Sequence, residues 1–336
     1  MVTVGTRMPP RVPSGSVTLA TLFVAGSFVM GGCTRSPHAN RASTQRSEAP
    51  PGFWKHWGDG RAEVNGYAVV QPRYGSLRPG EAVHIYVTET MRHDKRVKAD
   101  SNSDDTFPVM KLNSTLDFQT GLYDYNVMTS TFVPLGGETP RGIPTKISFS
   151  MQEWCGVTHA EARAEHAFGE PVRALSLSNH HYFDRRNAQD SELSVPDNGI
   201  AADALPIVVR GLAGTFATPG TRRDVNMVAR LYDIHTQDLG WTWHPATVVV
   251  DNATRTTIVP AGSFTTFLVE IEQSGTLAYR YAVEHDPPHR IIAWDGPEGE
   301  RGELTGTTRT AYWKHQSPDD AALRADLGLP PSTWPE

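Results

Sequence analysis

The most regular hydrophobic pattern of the chain lies between residues 256 and 313, where four apolar runs follow one another. In the second run, residues 277–283, large apolar side chains alternate with small or charged ones. An alternation with a period of two predicts a β-strand that has one apolar and one polar face. The breaks between the runs contain glycine or proline, which are typical of turns. The pattern therefore predicts a four-stranded antiparallel meander that packs one face against a core.

Shorter runs with strand character precede this meander. Residues 159–166 have the composition of a helix but no apolar stripe, so their structure is left open. A helix is predicted over residues 203–212, because its apolar residues recur at helical spacing and Pro206 suits only a first turn. A short terminal helix is predicted over residues 319–327. The further strands are predicted at residues 64–71, 82–90, 107–118, 122–132, 147–152, 172–183, 225–231 and 241–250.

These elements predict a mainly β fold, in which an antiparallel meander forms a curved or barrel-like sheet with one packed helix. A sheet with a single apolar face has to cover that face, and curling around the helix does so. The chain shows no internal repeat, and no strong linker interrupts its central part. We therefore predict one β-rich domain over residues 53–330, with two halves near 53–195 and 196–330 as the alternative.

The N-terminus has the pattern of a secretory signal. Two arginines precede an apolar run at residues 17–30, which is shorter than the roughly 20 residues that span a bilayer. The run ends in Met-Gly-Gly-Cys at residues 30–33. This tetrapeptide resembles the bacterial lipoprotein box, except that leucine is usual at its first position. Residues 1–32 are therefore predicted to be a lipoprotein signal peptide.

The resemblance implies a mature chain that begins at Cys33 and carries fatty acyl chains, palmitate among them, on this residue. Two or more such chains hold a protein stably at a membrane. Thr34 follows the cysteine in place of aspartate, which by analogy with enterobacterial sorting favours the outer membrane, facing the periplasm. Residues 33–52 are rich in Ser, Arg, Ala and Pro and predict a flexible tether. An ordinary cleaved signal that leaves Cys33 as a free thiol is the alternative.

Charge and cysteine content narrow the range of partners. The full chain has 31 basic and 37 acidic residues, which gives a net charge of −6. Because phosphate backbones are bound by basic surfaces, this balance argues against nucleic acid as a partner. If Cys33 is lipidated, Cys155 has no second cysteine with which to form an intramolecular disulfide. The fold must then be held together by its apolar core.

Several stretches resemble proteins of the bacterial envelope. The sequences Thr-Ile-Val-Pro-Ala-Gly-Ser-Phe at 257–264 and Asp-Ala-Leu-Pro-Ile-Val-Val-Arg at 203–210 resemble an uncharacterised periplasmic antiparallel β-sheet domain. That resemblance extends over residues 201–313. The middle of the chain, around residues 111–125 and 152–156, is similar to an uncharacterised family of bacterial envelope lipoproteins. The resemblance implies a curved or barrel-like antiparallel sheet and supplies no catalytic residues.

Cys155 is the candidate nucleophile of the sequence, since Glu153 and His159 lie near it in the chain. Cysteine catalysis needs a thiolate, and hence a basic partner in a positive setting. The alternative is a structural cysteine that strand alternation points inwards, because free cysteines are commonly buried. The segment lacks the second cysteine of a redox motif, and the structural interpretation is favoured.

Histidines supply the candidates for a metal or acid–base site. His180, His181 and Asp184 lie close together in the sequence. Adjacent residues of a strand point to opposite faces, so at most one of the two histidines can join Asp184 directly. His285 and His289 share a proline-containing loop, for which a solvated turn is the favoured interpretation. We accordingly predict no metal and no cofactor.

The ordered part of the chain is rich in tryptophan. Aromatic side chains suit pleated sheets, so packing in the core is the default interpretation. The alternative is an apolar cavity within the curved sheet that binds a lipid-like ligand. The tryptophans in question are Trp54, Trp57, Trp154, Trp241, Trp243, Trp294 and Trp313.

The favoured hypothesis is a lipid-anchored envelope protein without enzymatic activity, which binds an apolar or lipid-like ligand or another envelope component. A second hypothesis is an envelope hydrolase or transferase that uses Cys155 or a histidine cluster. A third is a structural or assembly lipoprotein. No motif brings two catalytic features together, which favours the first and third hypotheses. The expected partners are thus the membrane, through the N-terminal lipid, and a lipid-like ligand or an envelope protein.

Overall fold

The structure is a computed structural model, which describes residues 52–136, 142–165, 172–182, 190–214 and 218–330 of the chain. Sixteen β-strands dominate this part. The first eight strands are β1 (Ala62–Arg73), β2 (Ser76–Arg92), β3 (Thr106–Thr120), β4 (Tyr123–Pro134), β5 (Lys146–Glu153), β6 (Gly156–Glu165), β7 (Ala174–His181) and β8 (Ser191–Ser194). The second eight are β9 (Gly199–Ala201), β10 (Arg222–Val228), β11 (His244–Val250), β12 (Arg255–Val259), β13 (Gly262–Gln273), β14 (Thr276–Glu284), β15 (Ile291–Asp295) and β16 (Arg301–Thr310).

Helices are few and short. Helix α1 spans Phe53–Trp57 before the first strand, α2 spans Leu205–Val208, and α3 spans Leu231–Gln237. A 3₁₀ turn at Ala202–Ala204 leads directly into α2, and a longer 3₁₀ helix covers Pro318–Leu327. Across the described ranges, no helix is both long and apolar enough to cross a membrane. Two further 3₁₀ turns lie at Pro297–Gly299 and Tyr312–Lys314.

All sixteen strands belong to one sheet. Its order is β8-β7-β6-β5-β4-β3-β2-β1-β16-β15-β14-β13-β11-β10-β9, with β12 paired to β13. Strands β1 and β16 are antiparallel neighbours, with Ala62 opposite Thr310, so they join two runs of hairpins into a single sheet. Only the pair β9 and β10 is parallel among the described strands, which makes the sheet mixed at this edge. The sheet stays open, with β8 and β9 at its two ends.

The segment that contains α2 lies within the curve of the sheet. Leu205 and Val208 join a buried cluster with strands β10, β11, β13 and β14, whereas Ile207 joins a cluster with β2, β3 and β4. Helix α3 lies beside β4, β5 and β6, where Leu231 and Ile234 are buried against their apolar side chains. Such burial is the main source of folding free energy, at roughly 25 cal/mol per Å² of apolar surface. The mainly β fold with a curved sheet around a packed helix is thus confirmed.

Some elements differ from the predicted ones. Residues 159–165, which were left open, belong to strand β6, because alternate alanines such as Ala160 and Ala162 are buried there. The helix predicted over 203–212 is shorter, since its first residues form a 3₁₀ turn and the chain turns at Gly211 with a φ of 70°. Helix α3 begins at Leu231, the last residue of a predicted strand, because the strand itself ends at residue 228.

The C-terminal 3₁₀ helix lies against two opposed glycines. Gly66 on β1 faces Gly306 on β16. A Cβ atom at Gly306 would lie 2.3 Å from the carbonyl oxygen of Asp326, which is closer than any real contact. Because the two glycines have no side chains, Leu327 and Leu329 can cover the apolar residues on the outer face of β1.

Candidate functional site

An apolar groove lies at the end of the sheet where the described chain begins, which we call the entry end. The groove measures about 620 Å³, a volume typical of sites for small molecules. Gly52 lies on its edge, and Phe53, Trp57, Leu212 and Phe267 form its apolar walls. Prolines complete the lining at Pro219, Pro287 and Pro288.

Helix α1 supplies one wall of this groove. Phe53 and Trp57 are four residues apart and therefore project from the same face of the helix. Their ring centroids are 6.2 Å apart. The other walls come from Leu212, which follows α2, and from Phe267 on β13. Three elements that are distant in sequence thus converge on one apolar surface.

Arg210 holds the loop between β14 and β15 beside the groove. Its Nη1 atom lies 2.8 Å from Oε1 of the buried Glu63. Its Nε donates to the carbonyl oxygen of His289 at 2.9 Å, and Nη2 donates to that of Pro288 at 3.1 Å. The guanidinium carbon lies 4.2 Å from the ring centroid of Tyr86. One buried cation therefore ties two strands to the proline loop and fixes the shape of the groove.

The electrostatics of the groove combine an apolar floor with a polar rim. Burial alone would lower the pKa of Arg210, but the carboxylate of Glu63 and the nearby hydroxyl groups of Tyr86 and Tyr67 together raise it. The guanidinium of Arg210 therefore stays charged. Burial and the guanidinium of Arg309 lower the pKa of His56, so this rim histidine is neutral at neutral pH. His285 is exposed at the rim. The groove thus suits an apolar body with a polar end.

The concave face of the sheet, where sequence analysis placed a cavity for a lipid-like ligand, is filled by α2 and α3. A chamber of about 100 Å³ remains there, which is well below the volume of a usual ligand site. The tryptophans do not share one concavity. Trp57 lies in the groove and Trp294 borders the chamber, whereas Trp154 and Trp313 are exposed. Within the described residues, the larger apolar pocket therefore lies at the entry end and not inside the sheet.

Cys155 lies in the turn between β5 and β6, where it is exposed. The expectation that strand alternation buries it is wrong, because the turn residue belongs to neither strand. Its thiol is hydrogen-bonded to the carboxylate of Glu153, which raises the pKa of Cys155. A raised pKa reduces the thiolate fraction at neutral pH, which is the opposite of what a nucleophile needs. Within the described part of the chain, no hydrogen bond joins His159 to Cys155.

The candidate histidines are divided between the two faces of β7. The ring of His180 lies 6.3 Å from that of His159, and the ring of His181 lies 5.8 Å from that of His235. No group of three or more side chains in the described ranges is arranged to hold a metal ion. Asp184, the proposed third member of this site, lies outside the described residues.

Sequence reasoning did not find the residues that shape the groove. Glu63 and Arg210 are 147 positions apart, and no motif relates them. A weak signal exists, since Arg210 directly follows the apolar run Leu-Pro-Ile-Val-Val and a charge at such a place needs a partner. Cys33 and the tether of residues 33–52 lie outside the described residues, apart from Gly52. Lipidation therefore stays a prediction.

The chain was compared with known proteins. No protein-family model matches it, and no curated protein matches it. Among solved structures, a β-barrel-like protein of a domain of unknown function, DUF1849, from Brucella abortus has 10% sequence identity and a TM-score of 0.39, covering 74% of this chain and 96% of its own. A protein with a YmcC-like fold from Bacteroides fragilis has 11% identity and a TM-score of 0.19, covering 74% and 94%. Superpositions this loose carry no information about what this chain binds.

Proposed function

We propose that the protein is a lipid-anchored protein of the bacterial envelope, which faces the periplasm, catalyses no reaction and holds an apolar chain of a lipid-like ligand in the groove. The observation that carries this proposal is the groove itself, with its volume of about 620 Å³ and its walls of Phe53, Trp57, Leu212 and Phe267. Burying an apolar chain there would gain roughly 0.8 kcal/mol per methylene group.

The position of the groove relative to the expected anchor supports a ligand from the membrane. Gly52 lies on the edge of the groove and is the last residue of the predicted tether. Residues 34–51 reach at most about 60 Å when they are fully extended. An anchor on Cys33 would therefore keep the groove close to the bilayer, where acyl chains are abundant. His56 and His285 at the rim would face the polar end of the ligand.

A fluorescence titration with cis-parinaric acid tests this proposal. The chain from residue 34 onwards is secreted behind an ordinary cleavable signal, so that it carries no lipid of its own. We expect saturable binding that lauric acid displaces. The variant Pro219→Trp places a large ring at the groove and should weaken binding by about tenfold or more, a change of about 1.4 kcal/mol.

The matched control is Ile258→Trp, which adds the same ring at an exposed position of β12 that does not line the groove. Its affinity should equal that of the natural chain. Binding that is lost equally in both variants would point to non-specific adsorption. An absence of saturable binding in the natural chain would overturn the proposal.

One observation favours a second function, that of an assembly protein. The turns β1–β2, β3–β4 and β5–β6 and the end of β7 lie on one edge of the sheet, because neighbouring strands are antiparallel. We call this the tip end. Leu122, Trp154 and Tyr182 lie there and are 79%, 68% and 75% exposed. Exposed apolar groups that cluster in this way are typical of contact surfaces.

Photo-crosslinking in living cells tests the assembly role. A photoreactive phenylalanine analogue is placed at Leu122, and at the equally exposed Ile258 as the control. A discrete adduct from Leu122 alone, lost when Trp154→Ser is added, would support a partner at the tip end. Adducts that are identical from both positions would remove the support for this second function.

A further inference from the structure

A second cavity lies deep inside the sheet, between strands β1–β4 and the segment that leads into α2. It measures about 100 Å³ and shares no lining residue with the groove. Leu116 and Val127 contribute apolar wall, whereas His84, Asp203 and Arg230 contribute polar wall. We call this cavity the inner chamber. It is therefore a site separate from the proposed lipid site.

Two buried polar atoms of the chamber wall have no hydrogen-bond partner within the described part of the chain. They are Nδ1 of His84 and the hydroxyl oxygen of Tyr232. These residues are only 7% and 6% exposed. Burial and the charge of Arg210 lower the pKa of His84 to about 3, so its imidazole is neutral and can offer a lone pair. Because buried polar atoms are nearly always paired in folded proteins, these two point to a bound molecule.

The charges around the chamber are unbalanced in favour of negative ones. Arg230 donates two hydrogen bonds to the carboxylate of Asp233, at 2.7 and 2.8 Å, and Nη1 donates to Oε1 of Glu300 at 2.8 Å. One guanidinium thus serves two carboxylates. Asp203 adds a third carboxyl group to the chamber wall, and because burial raises its pKa to about 7, this group is negative at pH 8. The surroundings therefore attract a positive charge and repel a negative one.

Aromatic rings complete the environment. Trp294 stacks on His84, with ring centroids 5.2 Å apart and planes at 17°, and Tyr281 also lines the chamber. Aromatic faces attract cations, most strongly where water is excluded. Acceptor atoms, excess negative charge and aromatic faces are the three features by which proteins recognise ammonium and guanidinium groups.

We propose that the inner chamber binds a small organic cation, either a protonated primary amine or a guanidinium. The N–H groups of the ligand donate to Nδ1 of His84, the hydroxyl oxygen of Tyr232 and the carboxyl group of Asp203. An apolar cavity of about 150 Å³ holds benzene, which has six heavy atoms, so the inner chamber suits a ligand of about four heavy atoms.

An outer pocket adjoins the chamber. It measures about 210 Å³ and shares Gln71, Tyr232 and Glu300 with the inner chamber. Exposed residues such as Glu298 border it, and Arg73 lies on the same wall. The side chain of Arg73 is held in place by Nη1, which donates to the carbonyl oxygen of Thr236 at 3.0 Å. In this proposal a small cation enters the chamber from the outer pocket, past the side chains that the two cavities share.

Equilibrium dialysis at pH 8 with methylammonium and with guanidinium, both of which are cations at this pH, tests the proposal on the chain from residue 34 onwards. We expect saturable binding at one site per chain, with a dissociation constant below about 10 mM, near the weak limit of specific binding. Acetate, of the same size and opposite charge, should not bind. In NMR spectra of the protein, the ¹⁵N resonance of Nδ1 of His84 should shift in proportion to the occupied fraction.

At pH 8, the variant Asp203→Asn keeps the shape of the wall and removes a negative charge. It should weaken binding roughly tenfold to hundredfold, as expected for a hydrogen bond between charged groups. Glu272→Gln, which removes an exposed carboxylate far from the chamber, should leave the affinity unchanged. Pro219→Trp in the groove should also leave the affinity for methylammonium unchanged, so the proposals for the groove and for the inner chamber are tested independently.

Three results would overturn the proposal. The first is no saturable binding of methylammonium or guanidinium, which would mean that the chamber holds only water. The second is equal binding of acetate. The third is unchanged affinity in a folded Asp203→Asn variant. If that variant does not fold, His84→Gln, which keeps polarity but moves the acceptor, provides the same comparison through the affinity for methylammonium.

Discussion

The pH dependence of folding offers a sharp test of the buried position of Asp203. This residue lies in the 3₁₀ turn before α2 and is only 7% exposed. Its Oδ2 atom accepts a hydrogen bond from the amide of Leu231 at 3.0 Å. Burial raises the pKa of Asp203 from 3.8 to about 7, although that hydrogen bond opposes the rise. The folded protein therefore holds a proton on Asp203 across a pH range in which the unfolded chain has lost it.

The sign and size of the effect follow from linkage. Between pH 4 and 7 the unfolded chain binds fewer protons at this site, so the free energy of unfolding falls as the pH rises. A shift of about three units corresponds to about 4 kcal/mol, at 1.36 kcal/mol per unit. This contribution is fully present below pH 4 and has been lost above pH 7.

Asp203→Asn removes the titration and keeps an oxygen that can accept the hydrogen bond from Leu231. Urea denaturation at pH 4 and pH 8 measures the free energy of unfolding of the natural chain and of the variant. Between pH 4 and pH 8, the free energy of unfolding of the natural chain should fall by about 4 kcal/mol more than that of the variant. Glu272→Gln, at an exposed carboxylate, serves as the control and should show no such shift. A difference that stays constant between the two pH values would refute the reasoning.

Three further predictions concern other parts of the fold. Arg210→Met leaves the carboxylate of Glu63 buried and unpaired, so chemical denaturation should show a loss of about 3–5 kcal/mol, partly restored by adding Glu63→Gln. Gly306→Ala introduces a Cβ atom into the C-terminal 3₁₀ helix, and hydrogen exchange of residues 318–329 should accelerate while the sheet stays protected. The rate of alkylation of Cys155 by iodoacetamide should reach half its maximum at a higher pH than for an ordinary thiol. Glu153→Gln should lower this pH, since the carboxylate of Glu153 raises the pKa of Cys155.

Each of these three predictions has an outcome that would contradict it. An Arg210→Met chain as stable as the natural one would show that the buried pair contributes nothing. Unchanged exchange rates in Gly306→Ala would mean that the C-terminal helix does not need the glycine contact. If Glu153→Gln leaves the pH of half-maximal alkylation unchanged, the reactivity of Cys155 has another cause.

Local patterns in the sequence were sufficient to predict most strands. The alternation in residues 277–283 reappears as strand β14, because a period of two is compatible only with an extended chain that has one buried face. The buried run at Leu205–Val208 was recognised as helical for a similar local reason. Strand β6 was not recognised, since its buried face is made of alanines and alanine carries no strong preference for strands.

Local patterns in the sequence do not specify which strands pair with each other in the sheet. Pairing of β1 with β16 brings together residues that are more than 200 positions apart, and neither strand specifies its partner by sequence. The groove and the inner chamber depend on this pairing, as do the contacts of Arg210 and Arg230. In the sequence, Arg210 and Arg230 look like residues at the ends of strands or helices. No spacing rule therefore identifies the carboxylates with which they pair.

The sequence by itself determined the β class and the presence of a packed helix. These are properties of short stretches, in which the period of apolar residues and the order of residue types are sufficient. The tertiary structure decided where Cys155 lies, which carboxylates are buried and where cavities remain. Those features depend on which side chains meet when the sheet curls around α2 and α3, and residues distant in sequence meet only once the whole chain has folded.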